Sequence, residues 1–345
     1  YPNSVPTAAD VQRPLTAFAT PGEYEPLAVA FRALRALGPV RLSVGELRSP
    51  QGGRIPATAV EVRLVRCWPQ RLGSSWSTEW RVMPELLEPL AETAAKEGET
   101  REFWLTVHVP ADTAAGRYSG AVRLTAADGK AWESALMLEV LPFVLAPPER
   151  VIGMYWHENA WPRETLERQV RDMVEHGVTA VTLALAPKVS DRQGEMVVDA
   201  AELRALLVWL RALGIRGPVP YNNDLQGPLK RAFPGGDFAA LYPRLIGEME
   251  KVSTDPAALK LLYYPVDEIG NDEERGRTAQ TLCGLVGKVR GATSYITVNN
   301  YASGERWGDT FDIWCGNIEY TVEQERKLLA AGTTPLPFAE ALDED

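Results

Sequence analysis

Residues 259–268 read LKLLYYPVDE, and residues 273–289 read EERGRTAQTLCGLVGKV. The first is an apolar and aromatic run that ends on two adjacent carboxylates. A polar break follows, and then a stretch of helical character. This is the pattern of one βα unit, a buried strand handing over to a covering helix through a polar loop.

The same alternation recurs on both sides of it. Strand 151-VIGMYWH-157 precedes helix 164-ETLERQVRDMVEHG-177, and 178-VTAVTLALA-186 precedes 200-AAELRALLVWLRALG-214. Strand 217-GPVPYN-222 precedes 237-DFAALYPRLIGEMEKV-252. Beyond the quoted unit, 294-SYITVNN-300 leads to 311-FDIWCGN-317, helix 322-VEQERKLLAAG-332 and a last strand 333-TTPLPF-338. Gly177, Gly214 and Gly332 close their helices, as left-handed caps prefer. Six or seven βα units in a row predict a parallel sheet, with a (β/α)8 TIM-like barrel ahead of a doubly wound sheet. The last unit or two are missing from the pattern, so the barrel is expected to be incomplete at the C-terminus.

The first part of the chain has another period. The segments 60-VEVRLVRCW-68, 102-EFWLTVHV-109, 117-RYSGAVRLTA-126 and 132-WESALMLEVL-141 alternate apolar and polar residues, with turn signals at 50-PQGG-53, 110-PADTAAG-116 and 127-ADGK-130. That predicts an antiparallel β-sandwich. The stretch 27-LAVAFRALRAL-37 fits a helical stripe through Leu27, Phe31, Leu34 and Leu37, but its flanks favour two strands and a turn. The proline-rich 142-PFVLAPPER-150 reads as a linker. The expected architecture is therefore a multidomain chain, with a sandwich over residues 1–145 and an α/β catalytic domain over residues 146–345.

Charge narrows the partners. Asp and Glu outnumber Lys and Arg by 46 to 36, which disfavours a nucleic-acid backbone or an anionic membrane surface. No apolar run approaches the length of a membrane helix. Cys67, Cys283 and Cys315 are too few and too scattered for a disulfide framework or a zinc knuckle. Of the three histidines, His157 with Glu158 could form a metal pair, but His108 lies in the sandwich and His176 at a helix C-terminus, too few ligands for a metal site, so no metal and no cofactor is expected. The chain opens 1-YPNSVP-6 without Met, which reads as a processed chain or a fragment. The expected location is secreted, periplasmic or cell-surface, and the oligomeric state is open.

In a barrel of this kind the site lies at the C-terminal ends of the strands. Those ends read 155-YWHEN-159, 221-YNND-224, 264-YPVDE-268, 298-VNNY-301 and 314-WCGNIEY-320. Aromatic rings stack on sugars, and amides and carboxylates bond their hydroxyls. The substrate-binding candidates are Tyr155, Trp156, His157, Tyr221, Asn222, Asn299, Asn300, Tyr301, Trp314, Asn317 and Glu319, and the expected partner is a carbohydrate. Asp267 and Glu268 are the catalytic candidates. Two carboxyls flanking a glycosidic bond normally come from different strands, so adjacent acids fit another scheme. Glu268 serves as the acid, and Asp267 orients a 2-acetamido group whose carbonyl oxygen is the nucleophile. Two alternatives stay open: a retaining glycosidase with a separate nucleophile such as Glu319 or Glu340, and a non-catalytic carbohydrate-binding protein. As a bare dipeptide the pair also fits a helix N-terminus.

Across most of its length the chain resembles the glycoside hydrolase family 123 group and its uncharacterised relatives. The resemblance rests on 22-GEYEP-26, 68-WPQR-71, 102-EFWLTVHVPADTAAGRYSG-120, 141-LPF-143, 153-GMYW-156 and 263-YYPVDE-268. It implies an N-terminal β-sandwich joined to a (β/α)8 barrel. It also implies retaining exo-hydrolysis of terminal β-linked N-acetylgalactosamine, with Glu268 as acid/base and Asp267 assisting the acetamido group. The segment 333-TTPLPFAEALDED-345 departs from the aromatic-rich strand the group carries there.

Overall fold

The computed structural model describes residues 1–11, 13–71, 78–146, 151–159, 161–270, 272–298, 301–307, 310–316, 323, 326–327 and 335–336. The chain divides into two compact units, Tyr1–Ala146 and Pro147–Asp345.

The first unit is built of strands: β1 (Leu15–Ala19), β2 (Tyr24–Arg32), β3 (Leu37–Val44), β4 (Leu47–Arg48), β5 (Arg54–Ile55), β6 (Val60–Arg71), β7 (Trp80–Glu88), β8 (Glu92–Ala95), β9 (Thr100–His108), β10 (Gly116–Ala126) and β11 (Ala131–Val140). One sheet runs β1-β11-β10-β3-β8, with β4 beside β10 and β5 beside β4; the other runs β2-β9-β6-β7. The alternation read in the sequence sets the faces. In β9 the side chains of Phe103, Leu105 and Val107 are buried while their neighbours are half-buried. They share one core with Leu42, Tyr118 and Leu138 of the other sheet. The ambiguous stretch 27–37 resolves as strand, turn, strand: β2 pairs with β9 and β3 with β10. Leu34, which the helical stripe would have buried, is 86% exposed.

The second unit contains β12 (Gly153–Met154), α1 (Arg163–Glu175), β13 (Ala180–Val181), β14 (Lys188–Arg192), β15 (Glu195–Asp199), α2 (Ala201–Ala212), β16 (Val219–Tyr221), α3 (Gln226–Ala232), α4 (Phe238–Ser253), β17 (Leu261–Tyr263), α5 (Glu273–Val286), β18 (Tyr295–Val298), α6 (Tyr301–Trp307), β19 (Ile313–Gly316) and β20 (Pro335–Leu336). Parallel pairs join β12 to β13, β16 to β17, β18 to β19 and β19 to β20. Parallel bridges Leu183–Tyr221 and Tyr263–Ser294 link these pairs. The spatial order thus follows the chain order throughout, without the reversal a doubly wound sheet requires. The result is a curled half-barrel of parallel strands with helices between them.

Several strands are shorter than their sequence pattern. The expected strand 151–157 narrows to β12, 178–186 to β13, and 259–268 to β17. Pro265 has no N–H for a ladder, so the acid pair lies beyond β17, in the loop before α5. A hairpin and two helices go beyond the pattern. The hairpin is β14–β15, turned by Gln193 and Gly194, both at positive φ (58° and 86°) as a two-residue hairpin loop demands. The helices are α3 and α6. Gly177 and Gly214 do close α1 and α2 at φ 87° and 112°. Gly332 and most of the expected helix 322–332 lie outside the described residues.

Each parallel strand divides its side chains between two faces. Leu261 and Tyr263 of β17 join the large core beneath α2 and α4, where the Tyr263 hydroxyl donates to buried Glu250 at 2.8 Å. Leu262 and Tyr264 instead pack with Tyr295 and Cys315. On β18, Ile296 and Val298 pack with Ala279, Cys283 and Trp307, leaving Tyr295 and Thr297 on the Tyr264 side.

Candidate active site

The loop after β17 begins with buried Tyr264 and Pro265 and reaches half-buried Asp267 and exposed Glu268. Tyr264 and Asp267 are three residues apart, and the Tyr264 hydroxyl donates to Asp267 Oδ1. Thr297 reaches the same oxygen from β18, its Oγ1 donating at 2.8 Å, and the two hydroxyl oxygens lie 2.7 Å apart. Burial first, and then the bond to Asp267, push the Tyr264 phenol above its ordinary range, so it stays a donor. Among the described residues, Asp267 Oδ2 accepts no hydrogen bond.

The peptide between the two acids is held at both of its polar ends. The Arg275 guanidinium, from the first turn of α5, donates to the Asp267 carbonyl. The Glu268 N–H donates to Thr297 Oγ1 at 2.6 Å. Glu268 has φ 47°, a left-handed conformation that a side chain larger than glycine adopts at a cost of order 1 kcal/mol. The loop then closes on α5 through Asp272, whose carboxylate caps the helix by accepting from Glu274 N at 2.9 Å and Arg275 N at 3.1 Å. The cap reading thus belongs to Asp272 and not to the acid pair.

A hollow of ≈ 350 Å³ adjoins Asp267, and Glu268 is not in its lining, which includes Asp224, Gln226, Val266, Arg275 and Thr278. That is inside the range of ~300–1,000 Å³ usual for small-molecule sites. Asp224 is tied into the start of α3, accepting from Gln226 N at 3.0 Å and from its side-chain amide at 3.1 Å.

The other candidates sort by face. Tyr155 and His157 are exposed and meet edge to face, with ring centroids 5.2 Å apart. Asn222 joins them, its amide donating to the Tyr155 hydroxyl at 2.9 Å. The ends of β12 and β16 thus meet on the same edge of the parallel array as the acid pair. Two candidates are corrected. Trp156 points the other way and is buried in the core, its indole N–H donating to Gln169 of α1 at 3.1 Å. Tyr221 is fully buried, its hydroxyl donating to the Leu185 carbonyl at 2.7 Å. Both alternate away from Tyr155, His157 and Asn222, so neither ring faces a substrate. Asn299, Asn300, Asn317, Glu319 and Glu340 lie outside the described residues; Tyr301 opens α6 and Trp314 sits in β19, but their side chains lie outside the described part.

Sequence reasoning missed Thr297 and Arg275. Thr297 shares a face with Tyr295, two residues apart on a strand, and that alternation was the available signal. Arg275 follows Asp272 by one helical turn. Glu158 lies half-buried, Oε2 accepting from Ala184 N at 3.2 Å while buried Oε1 has no partner among the described residues. The cysteines are poor nucleophiles: burial pushes the Cys283 thiol up to about 12 and raises Cys315 and Cys67. Among the described residues no three His, Cys, Asp or Glu side chains gather as metal ligands, and no helix is long and apolar enough to cross a membrane.

The sequence model of the glycoside hydrolase 123 N-terminal domain matches residues 27–126. A solved family 123 glycoside hydrolase from Clostridium perfringens, described for glycolipid glycan hydrolysis, superposes with TM-score 0.72 at 11% identity, over 93% of this chain and 67% of that one. A family 39 glycoside hydrolase from Bacteroides cellulosilyticus WH2 matches 88% of this chain and 55% of its own at 13% identity, but its TM-score of 0.33 is too low to carry an argument. No curated protein sequence matches. A two-sheet unit followed by parallel strands is the architecture this chain shares with that family 123 structure. The chain is thus similar to glycoside hydrolase family 123 proteins, by sequence over residues 27–126 and by fold over 93% of its length.

Proposed function

We propose that the chain is a glycoside hydrolase that releases terminal β-linked 2-acetamido sugars, N-acetylgalactosamine foremost, by substrate-assisted hydrolysis with retention. The two sheets then correspond to the family's β-sandwich and the parallel array to its (β/α)8 barrel. The observation that carries the reading is the unequal placement of the two acids. Asp267 is fixed through one oxygen, with the other unbonded among the described residues, while Glu268 is exposed beside it.

Such a pair suits one sequence of bond changes. Glu268 gives its proton to the glycosidic oxygen as the bond to the anomeric carbon breaks. The acetamido carbonyl oxygen forms a bond to that carbon from the opposite face, giving an oxazolinium ion whose N–H is held by Asp267 Oδ2. Water then attacks the anomeric carbon, loses its proton to the Glu268 carboxylate, and reopens the ring to the acetamido sugar. Two inversions give retention, and no separate enzyme nucleophile is needed.

A panel of chromogenic glycosides tests this, with Asp267→Asn and Glu268→Gln assayed in parallel. Turnover is expected on 2-acetamido sugars, with inhibition by a thiazoline analogue of the oxazoline. Glu268→Gln should slow poor leaving groups far more than good ones, because good ones need little protonation. Activity on plain hexosides with a trappable covalent ester would replace this reading by a separate-nucleophile glycosidase. Sugar binding without turnover would replace it by a binding protein.

A further inference from the structure

We infer that Thr297 is the positioning residue of the acid pair, acting with Tyr264 through a three-oxygen cluster that orients both acids at once. The role given to Asp267 Oδ2 rests on the hydrolase reading above; the holding of the loop by Thr297 rests on the geometry alone.

The hydroxyl of Thr297 has one proton and two lone pairs. It accepts the Glu268 amide proton at 2.6 Å and gives its own proton to Asp267 Oδ1 at 2.8 Å. The Tyr264 hydroxyl also has one proton, which goes to the same Oδ1. With both hydroxyl protons on Oδ1, the cluster is satisfied when that oxygen is a pure acceptor. Oδ2 is then the oxygen that meets an acetamido N–H. The same threonine holds the next residue's backbone, and its own carbonyl accepts from Ile269 N at 3.4 Å. Residues 267, 268 and 269 are therefore all anchored to one residue of β18. The left-handed φ of Glu268 gives this anchoring a purpose, since a conformation costly in isolation persists only where its surroundings fix it. A single side chain thus sets the direction of the acid and the rotation of its neighbour.

The test uses the whole chain and the variants Thr297→Val, Thr297→Ser and Tyr264→Phe, assayed on the best chromogenic 2-acetamido glycoside. Thr297→Val keeps the shape and removes the hydroxyl. It is expected to lower kcat by about 100-fold, the loss a displacement near 1 Å brings, with KM nearly unchanged. Thr297→Ser restores the hydroxyl and should recover most of the loss, and Tyr264→Phe should fall between. A Thr297→Val enzyme with wild-type kcat, or a serine variant as impaired as the valine at equal melting temperature, overturns the inference. Amide hydrogen exchange at Glu268 reads the same contact without activity. Exchange should quicken about tenfold in Thr297→Val, the equivalent of one lost hydrogen bond, and stay near wild type in Thr297→Ser. If the wild type hydrolyses no 2-acetamido glycoside, the hydrolase reading fails and exchange alone decides the positioning role: unchanged exchange in Thr297→Val overturns it.

Discussion

Tyr263 and Tyr264 are neighbours with opposite consequences. The first donates to Glu250, which is 6% exposed; the second donates to half-buried Asp267. Tyr263→Phe leaves a buried carboxylate oxygen without its donor, so we expect a loss of about 1–3 kcal/mol by urea unfolding. Tyr264→Phe should cost less stability and more activity. The amide variant Asp267→Asn is expected to be far from conservative. Two hydroxyl donors face Oδ1, so the amide oxygen takes that place and the NH₂ group takes that of Oδ2. A donor then meets the substrate's N–H donor, and kcat should fall about 10²–10³-fold, as on losing one strong transition-state contact. The pair itself was visible as two acids that close an apolar run. Its anchor was not, because Thr297 is thirty residues downstream and only strand pairing brings it back.

At the scale of elements, the caps and periods were legible while the strand lengths were not. Asp237 and Asp272 sit where the sequence starts α4 and α5, and each carboxylate accepts from two backbone N–H groups. Asp272→Ala should lower stability by about 1 kcal/mol in a thermal melt, and activity further, because the same turn carries Arg275. Asp255 ties the end of α4 to α2. Its pKa is lowered first by the Ala257 N–H and then by the Arg204 guanidinium. A depressed carboxylate adds stability that is present above its ordinary pKa and lost as pH falls through the folded value. Wild type and Asp255→Asn should therefore differ in melting temperature at neutral pH and converge in strong acid. Strand lengths escaped because apolar residues continue past the last ladder bond: Tyr264 is buried, yet Pro265 cannot extend the ladder. Likewise Trp156 and Tyr221 looked like site aromatics because a strand end gives no sign of which face a ring takes.

At the scale of the molecule, each unit has its own core, one from the two sheets and others under the helices and along the parallel strands. Residues 1–146 made alone should consequently unfold in one cooperative thermal transition followed by circular dichroism; a featureless melt would show that this core does not suffice. By itself the sequence determined the two periods, the change between them near residue 146, the helix caps and the acid pair. These are local properties, fixed by backbone chirality, side-chain alternation and capping chemistry within a few residues. Only the tertiary structure decided that the parallel strands follow one another in chain order, which aromatic rings are buried, and that Tyr264, Thr297 and Arg275 converge on Asp267–Glu268. Those facts depend on which strands pair and in what register, and register is set by the fit of many distant side chains at once.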